Sequence, residues 1–100
     1  MYKRIKYSSR ALNTDEGRRA VLNYYVIIGT RQNSSDGFPA AAYGCEIEMM
    51  YPFSDLKSES QRIEGICESR EDIDRLMGKL CEGLVTPCTL YDIVYDHISE

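Results

Sequence analysis

The chain is short of the parts from which active sites are usually built. It has one histidine, His97, so no histidine pair within it can hold a metal or relay a proton. Its four cysteines, Cys45, Cys67, Cys81 and Cys88, stand 22, 14 and 7 residues apart with no C-x-x-C pair, which removes the usual spacing of a structural zinc site. Neither G-x-x-x-x-G-K nor G-x-G-x-x-G occurs, so no Gly-rich loop is offered to a phosphate. No apolar run approaches the roughly 20 residues of a membrane helix. The basic start, Met1 to Lys6, is followed by no apolar segment of the kind a secretory signal needs. Internal repeats and low-complexity tracts are missing as well. The expectation is a cytoplasmic protein without cofactor or metal, its cysteines reduced and used as small hydrophobes.

What is present is the composition of one ordinary domain. One hundred residues, 43% hydrophobic and 28% charged, suffice for a single core and not for two. The whole of 1–100 is therefore read as one domain. Its net charge of −4 conceals an asymmetry. Residues 1–32 hold seven basic side chains against two acidic ones, and residues 33–100 hold five against fourteen. A basic arm for an anionic partner would produce such a split. Adjacent elements that complement each other's charge would produce it too, and that is the simpler reading.

Up to Ser69 the hydrophobic pattern has the period of strands, and beyond it the period of helices. The first strand, about 3–12, sets Ile5 and Tyr7 on one face. Asn13 to Gly17 is a turn by its chemistry, with Gly17 supplying a positive φ. The second strand, about 20–31, is β-branched and aromatic throughout (Val21 to Ile28), as suits a central strand buried on both faces. In the third, about 42–51, Tyr43, Cys45, Ile47, Met49 and Tyr51 point one way and Gly44, Glu46, Glu48 and Met50 the other. The fourth, about 61–67, contains Gly65, the mark of a bulge.

Two helices follow, about 70–82 and about 87–97. Ser69 is placed to cap the first by accepting from the N–H of Asp72. Ile73, Leu76, Met77, Leu80 and Leu84 form its apolar stripe, Gly78 lies on the wet side, and Gly83 ends it. Thr86 and Pro87 restart the chain as cap and first helical residue, and Leu90, Ile93, Val94 and His97 share the second stripe. Strands first and helices last, without β-α alternation, define an α+β fold: a four-stranded antiparallel sheet with both helices on one face.

The stretches Tyr43-Gly44-Cys45-Glu46-Ile47 and Val85-Thr86-Pro87, with Leu90, Asp92-Ile93-Val94 and Asp96, resemble a family of small clostridial proteins known as a domain of unknown function. The resemblance covers most of the chain. Its members often carry a histidine where this chain has Thr89. It implies the α+β fold and no activity, substrate or cofactor.

Candidate sites are few. His97, at the end of the last helix, is expected to cap carbonyls there and cover the core edge. The carboxylate pairs Glu46/Glu48 and Asp92/Asp96 have the spacing of solvated faces. Tyr2, Lys3, Arg4, Lys6, Tyr7 and Arg10 alternate charge and ring, as a single-stranded nucleic-acid track does, but the acidic whole ranks that reading last. Tyr91, Tyr95 and Ile98 widen the apolar face of the last helix beyond the roughly 100° that one packing surface takes, and tyrosine is enriched where proteins meet. They are the candidate partner surface, for a protein partner or self-association. The expected function is a non-catalytic interaction or regulatory module. The alternative is a small-ligand binder or enzyme with a pocket between the sheet and the 32–40 loop.

Overall fold

The computed structural model describes residues 2–14, 17–32 and 39–99. Among these, four strands make one sheet: β1 (Lys3–Asn13), β2 (Arg19–Gln32), β3 (Pro39–Met50) and β4 (Glu59–Cys67). They pair antiparallel in chain order, so β1 and β4 are the edges. The helix α1 (Arg70–Glu82), a 3₁₀ turn (Pro87–Thr89) and the helix α2 (Leu90–Ser99) follow. The expected α+β fold is the observed one. Residues 33–38, the middle of the expected 32–40 loop, lie outside the described residues, as do 15 and 16 of the first turn.

Directly opposed residues in an antiparallel pair share a face, so the register assigns every side chain. Ile5 faces with Val26, and Leu12 with Ala20. Tyr24 faces with Ile47, and Val26 with Cys45. This face meets the helices: Leu22, Tyr24, Cys45, Ile47, Ile73, Leu76, Leu80, Leu90 and Val94 form its buried core. The buried Tyr24 hydroxyl donates to the Val85 carbonyl at 3.0 Å, tying the central strand to the interhelical link. As its unbroken β pattern implied, β2 is covered on both sides, because Asn23, Tyr25 and Ile27 on the opposite face are buried too.

Both edges are irregular. In β1 the register shifts between Lys6 and Ser8. Arg10 is thereby turned toward the helices, where it donates to the Cys81 carbonyl at 3.0 Å. In β4 the shift lies opposite the segment between Tyr43 and Cys45, where Gly65 has φ +65°. The expected bulge is there, and it explains Gly44. A Cβ on Gly44 would collide with the Ile63 carbonyl and stand 2.8 Å from Glu64 Cα, so the bulge closes over a strand that must be bare at that point.

The helices correct three local expectations, two at their ends and one within α1. Ser69 does cap α1, accepting from Asp72 N–H at 3.2 Å. At the other end Gly83 has φ −84°, and the left-handed residue is Leu84, at φ 49°. Val85 N–H reaches Leu80 O at 3.0 Å and Leu84 N–H reaches Cys81 O at 3.3 Å, the pair of bonds that closes a Schellman motif. Leu84 tolerates a conformation that costs a non-glycine residue roughly 1–2 kcal/mol because its side chain packs against the core. Thr86 stands at the cap position of the 3₁₀ turn, yet its side chain makes no capping bond. Its hydroxyl lies instead 3.3 Å from the Cys88 sulfur. Gly78, expected on the wet side, is half-buried, with the Tyr7 hydroxyl 4.0 Å from where a Cβ would stand.

Candidate functional site

The surface picked out on the last helix sits at a groove. Along α2, Leu90 and Val94 turn into the core. With 3.6 residues per turn, Tyr91, Tyr95 and Ile98 form the adjacent stripe, and Asp92 and Asp96 the one beyond it. Tyr91, Tyr95 and Ile98 keep 45%, 62% and 55% of their surface in water. The two rings are stacked, centroids 6.2 Å apart, as their i, i+4 spacing allows. Across from them run Ile63, Gly65 and Ile66 of β4, with Glu64 on the same wall, and the space between holds about 210 Å³. Gly65 of the β4 bulge lies on this wall, where a bulge bends the strand and increases its twist.

His97 does not cap the carbonyls of α2. Its side chain is 8% exposed and is wedged against α1, with Nε2 3.3 Å from Asp72 Oδ1 and Nδ1 3.2 Å from Lys79 Nζ. An ammonium only donates, so Nδ1 accepts from Lys79 and Nε2–H donates to Asp72. Asp72 also lies 3.7 Å from Arg75. The result is a polar clasp between the helices. Sequence reasoning placed His97 on the core stripe correctly but had no means of choosing its partners on α1.

Glu46 is the second correction. It is 4% exposed on the face left open by the helices, where a solvated carboxylate was expected. Arg4 Nη1 and Arg62 Nε each donate to it at 2.7 Å, one to each oxygen. The bonds to Glu46 push both guanidiniums up. Arg4 lies over the Tyr25 ring at 4.0 Å and Arg62 over the Tyr2 ring at 4.1 Å. Tyr25 also reaches Glu48 at 3.4 Å, and Asn23 donates to Glu48 at 3.2 Å. Part of the basic excess of the first strand is thus spent within the fold.

At the end of the sheet nearest the 32–40 loop, Ile27, Gly29, Thr30, Ala42, Glu64 and Gly65 border a shallow depression of about 310 Å³. Tyr24 and Cys45 point into the core on the other side of the sheet. The thiols of Cys45, Cys67 and Cys81 are all pushed up by burial, that of Cys45 to about 12. Burial moves them away from the thiolate that acts as nucleophile or metal ligand. Among the described residues no group of three or more His, Cys, Asp or Glu side chains is placed to hold a metal. No helix among them is long and apolar enough to cross a membrane.

Fold and groove together define a small α+β domain with one helix-covered sheet face and one open, ion-paired face. The chain belongs to DUF6514, a family of unknown function, which matches residues 3–100. No curated protein and no solved structure matches it.

Proposed function

We propose that this protein is a small non-catalytic interaction or regulatory module of the bacterial, clostridial cytoplasm, which meets a protein partner through the groove between α2 and β4. The observation that carries this reading is the coincidence of Tyr91, Tyr95 and Ile98, all exposed, with a concave and largely apolar surface. Exposed apolar patches that are contiguous and bordered by polar groups mark interaction sites. The engagement of His97 by Lys79 and Asp72, and the burial of Cys45 and Cys81, support the non-catalytic part. Light scattering and affinity capture with the wild type and a Tyr91→Ala/Tyr95→Ala variant test it. A partner, or a second copy, retained by the wild type and lost by the variant is the expected result. A monomer whose captured proteins are the same in both forms would sink the reading.

A second reading has its own observation. The depression bordered by Gly29, Thr30 and Glu64 lies on the sheet itself, and at about 310 Å³ it reaches the lower limit of small-molecule sites, about 300 Å³. A small-molecule screen read by amide shifts at Gly29, Thr30 and Ala42, which border the depression and not the groove, separates the two. Nucleic-acid binding by the first strand ranks below both, because Arg4 and Arg10 already have partners within the fold. Absence of a mobility shift with single-stranded RNA at low salt would dismiss it.

A further inference from the structure

The groove beside α2 is apolar along its floor, has one carboxylate on its β4 wall, and has two more on the helix surface beyond its tyrosine rim. Ile63, Ile66 and Val94 make the floor. Glu64, exposed, stands on the β4 wall, and Asp92 and Asp96, exposed, follow the tyrosine stripe on the outer side of α2. Helix α2 has no lysine or arginine, and its histidine is turned toward α1. The only basic residue of β4, Arg62, is held by Glu46 on the opposite face of the sheet. Arg70, just beyond β4, pairs with Asp74 at 3.1 Å. Carboxylates with so few cations beside them set up a negative potential that selects a partner of opposite sign. The size of the space is selective as well. About 210 Å³ falls below the roughly 300–1,000 Å³ of small-molecule pockets, and fits one large side chain. Two stacked tyrosine rings at the rim add faces on which a guanidinium or ammonium can rest.

We propose that this groove receives a basic–apolar peptide segment of a partner protein: one large aliphatic or aromatic side chain enters the cavity, and lysines or arginines flanking it meet Glu64, Asp92 and Asp96 and the faces of Tyr91 and Tyr95. This rests on the interaction-module reading and adds the chemistry of the partner. Recognition of this kind combines a buried anchor, which supplies the affinity, with rim charges that supply on-rate and sign selectivity.

The test uses the full chain, isotope-labelled, and three short synthetic peptides: one with Leu-Phe flanked by Lys and Arg, one with Leu-Phe flanked by Glu, and one with Ser-Ser flanked by Lys and Arg. The first is expected to bind with amide shifts confined to residues 63–66 and 91–98. Its affinity should fall at least tenfold in Tyr91→Ala/Tyr95→Ala, at least threefold in Asp92→Lys/Asp96→Lys, and further as salt is raised. Because Asp92 and Asp96 are exposed, the charge-reversed variant keeps its fold, and circular dichroism verifies this. Equal binding of the Glu-flanked peptide at the groove would overturn the proposed chemistry and leave the interaction reading standing. Equal binding of the Ser-Ser peptide would show that charge alone is read, and would overturn the anchor. If no peptide binds and the protein is a dimer that the tyrosine variant dissociates, a second copy is the occupant and the peptide proposal is overturned. If no peptide binds and the protein is a monomer, the peptide proposal is overturned, and the module reading falls with it only where the wild type and the tyrosine variant capture the same proteins.

Discussion

The two faces of the sheet solve the same burial problem by different chemistry. Toward the helices, Leu22, Tyr24, Val26, Cys45 and Ile47 are sealed by Ile73, Leu76, Leu80, Leu90 and Val94, and the contacts are mostly apolar and non-directional, with the Tyr24 and Arg10 bonds to main-chain carbonyls set among them. On the other side no helix or strand among the described residues covers the sheet, yet Asn23, Tyr25, Ile27 and Glu46 are as buried as core residues. There the cover is made of side chains from the sheet itself. Arg4 and Arg62 lean over Glu46 from both sides and over Tyr25 and Tyr2, so that their aliphatic stems shield what their charges neutralise. One face resists water by volume, the other by pairing, and the second kind fails unevenly when its members are removed.

That contrast can be broken most sharply on the covered face. Leu80→Asp places an unpaired charge where no partner exists, at a cost of several kcal/mol against a total of about 5–15 kcal/mol. Circular dichroism should find the variant unfolded at 25 °C. Gly44→Ala comes next, at about 3 kcal/mol, because its neighbours are Ile63 and Glu64 main chain and not a side chain that can swing away. Urea denaturation should show it. On the open face, Glu46→Gln should cost about 2 kcal/mol through the lost charge-assisted bonds. The Arg4→Met/Arg62→Met variant should be less stable still, since it strands a buried carboxylate and not two half-exposed guanidiniums. A midpoint for Glu46→Gln equal to that of the wild type would mean that this face is merely solvated.

The covered face also carries a pH signature. Burial pushes the Tyr24 hydroxyl and the Cys45 thiol up to about 12 each. The unfolded chain gives up these protons near the ordinary values, 10.0 and 9.0, while the folded chain still holds them. Between there and about 12 the folded state binds more protons, so stability present in full below pH 9 declines as the pH rises. Urea midpoints from pH 8 to 11 should fall, and should fall less steeply in Tyr24→Phe/Cys45→Ala. Smallest of all is Thr86→Ala. A capping threonine would lose about 1 kcal/mol, but this hydroxyl makes no capping bond, so the change should stay within about 0.5 kcal/mol.

What could be read from the residues follows the same division. The alternation of Tyr43 to Tyr51, the Ser69 cap, the α1 stripe and the Gly65 bulge are local signals, and the structure repeats them. Glu46 was misjudged because alternation assigns a face without saying what covers it, and Arg4 lies 42 positions away in sequence. The α1 terminus was misjudged by one residue. Glycine is the habitual left-handed position, but here packing of Leu84 outweighs its conformational penalty. The tyrosine stripe of α2 was legible as excess apolar width. The wall opposite it was not, since only the three-dimensional path of β4 brings Ile63 and Ile66 alongside.

The register breaks at both margins of the sheet have a further outcome. On β1 the longest regular stretch is Ser8–Asn13, and on β4 it is Glu59–Ile63. Neither border offers a straight ladder on which a foreign strand could dock in sequence and be copied onward, so self-templated fibre growth is discouraged even at high protein concentration. On the proposed reading, a partner would then be chosen by its side chains, and selectivity would fall to the few groups that line the gap next to the last helix.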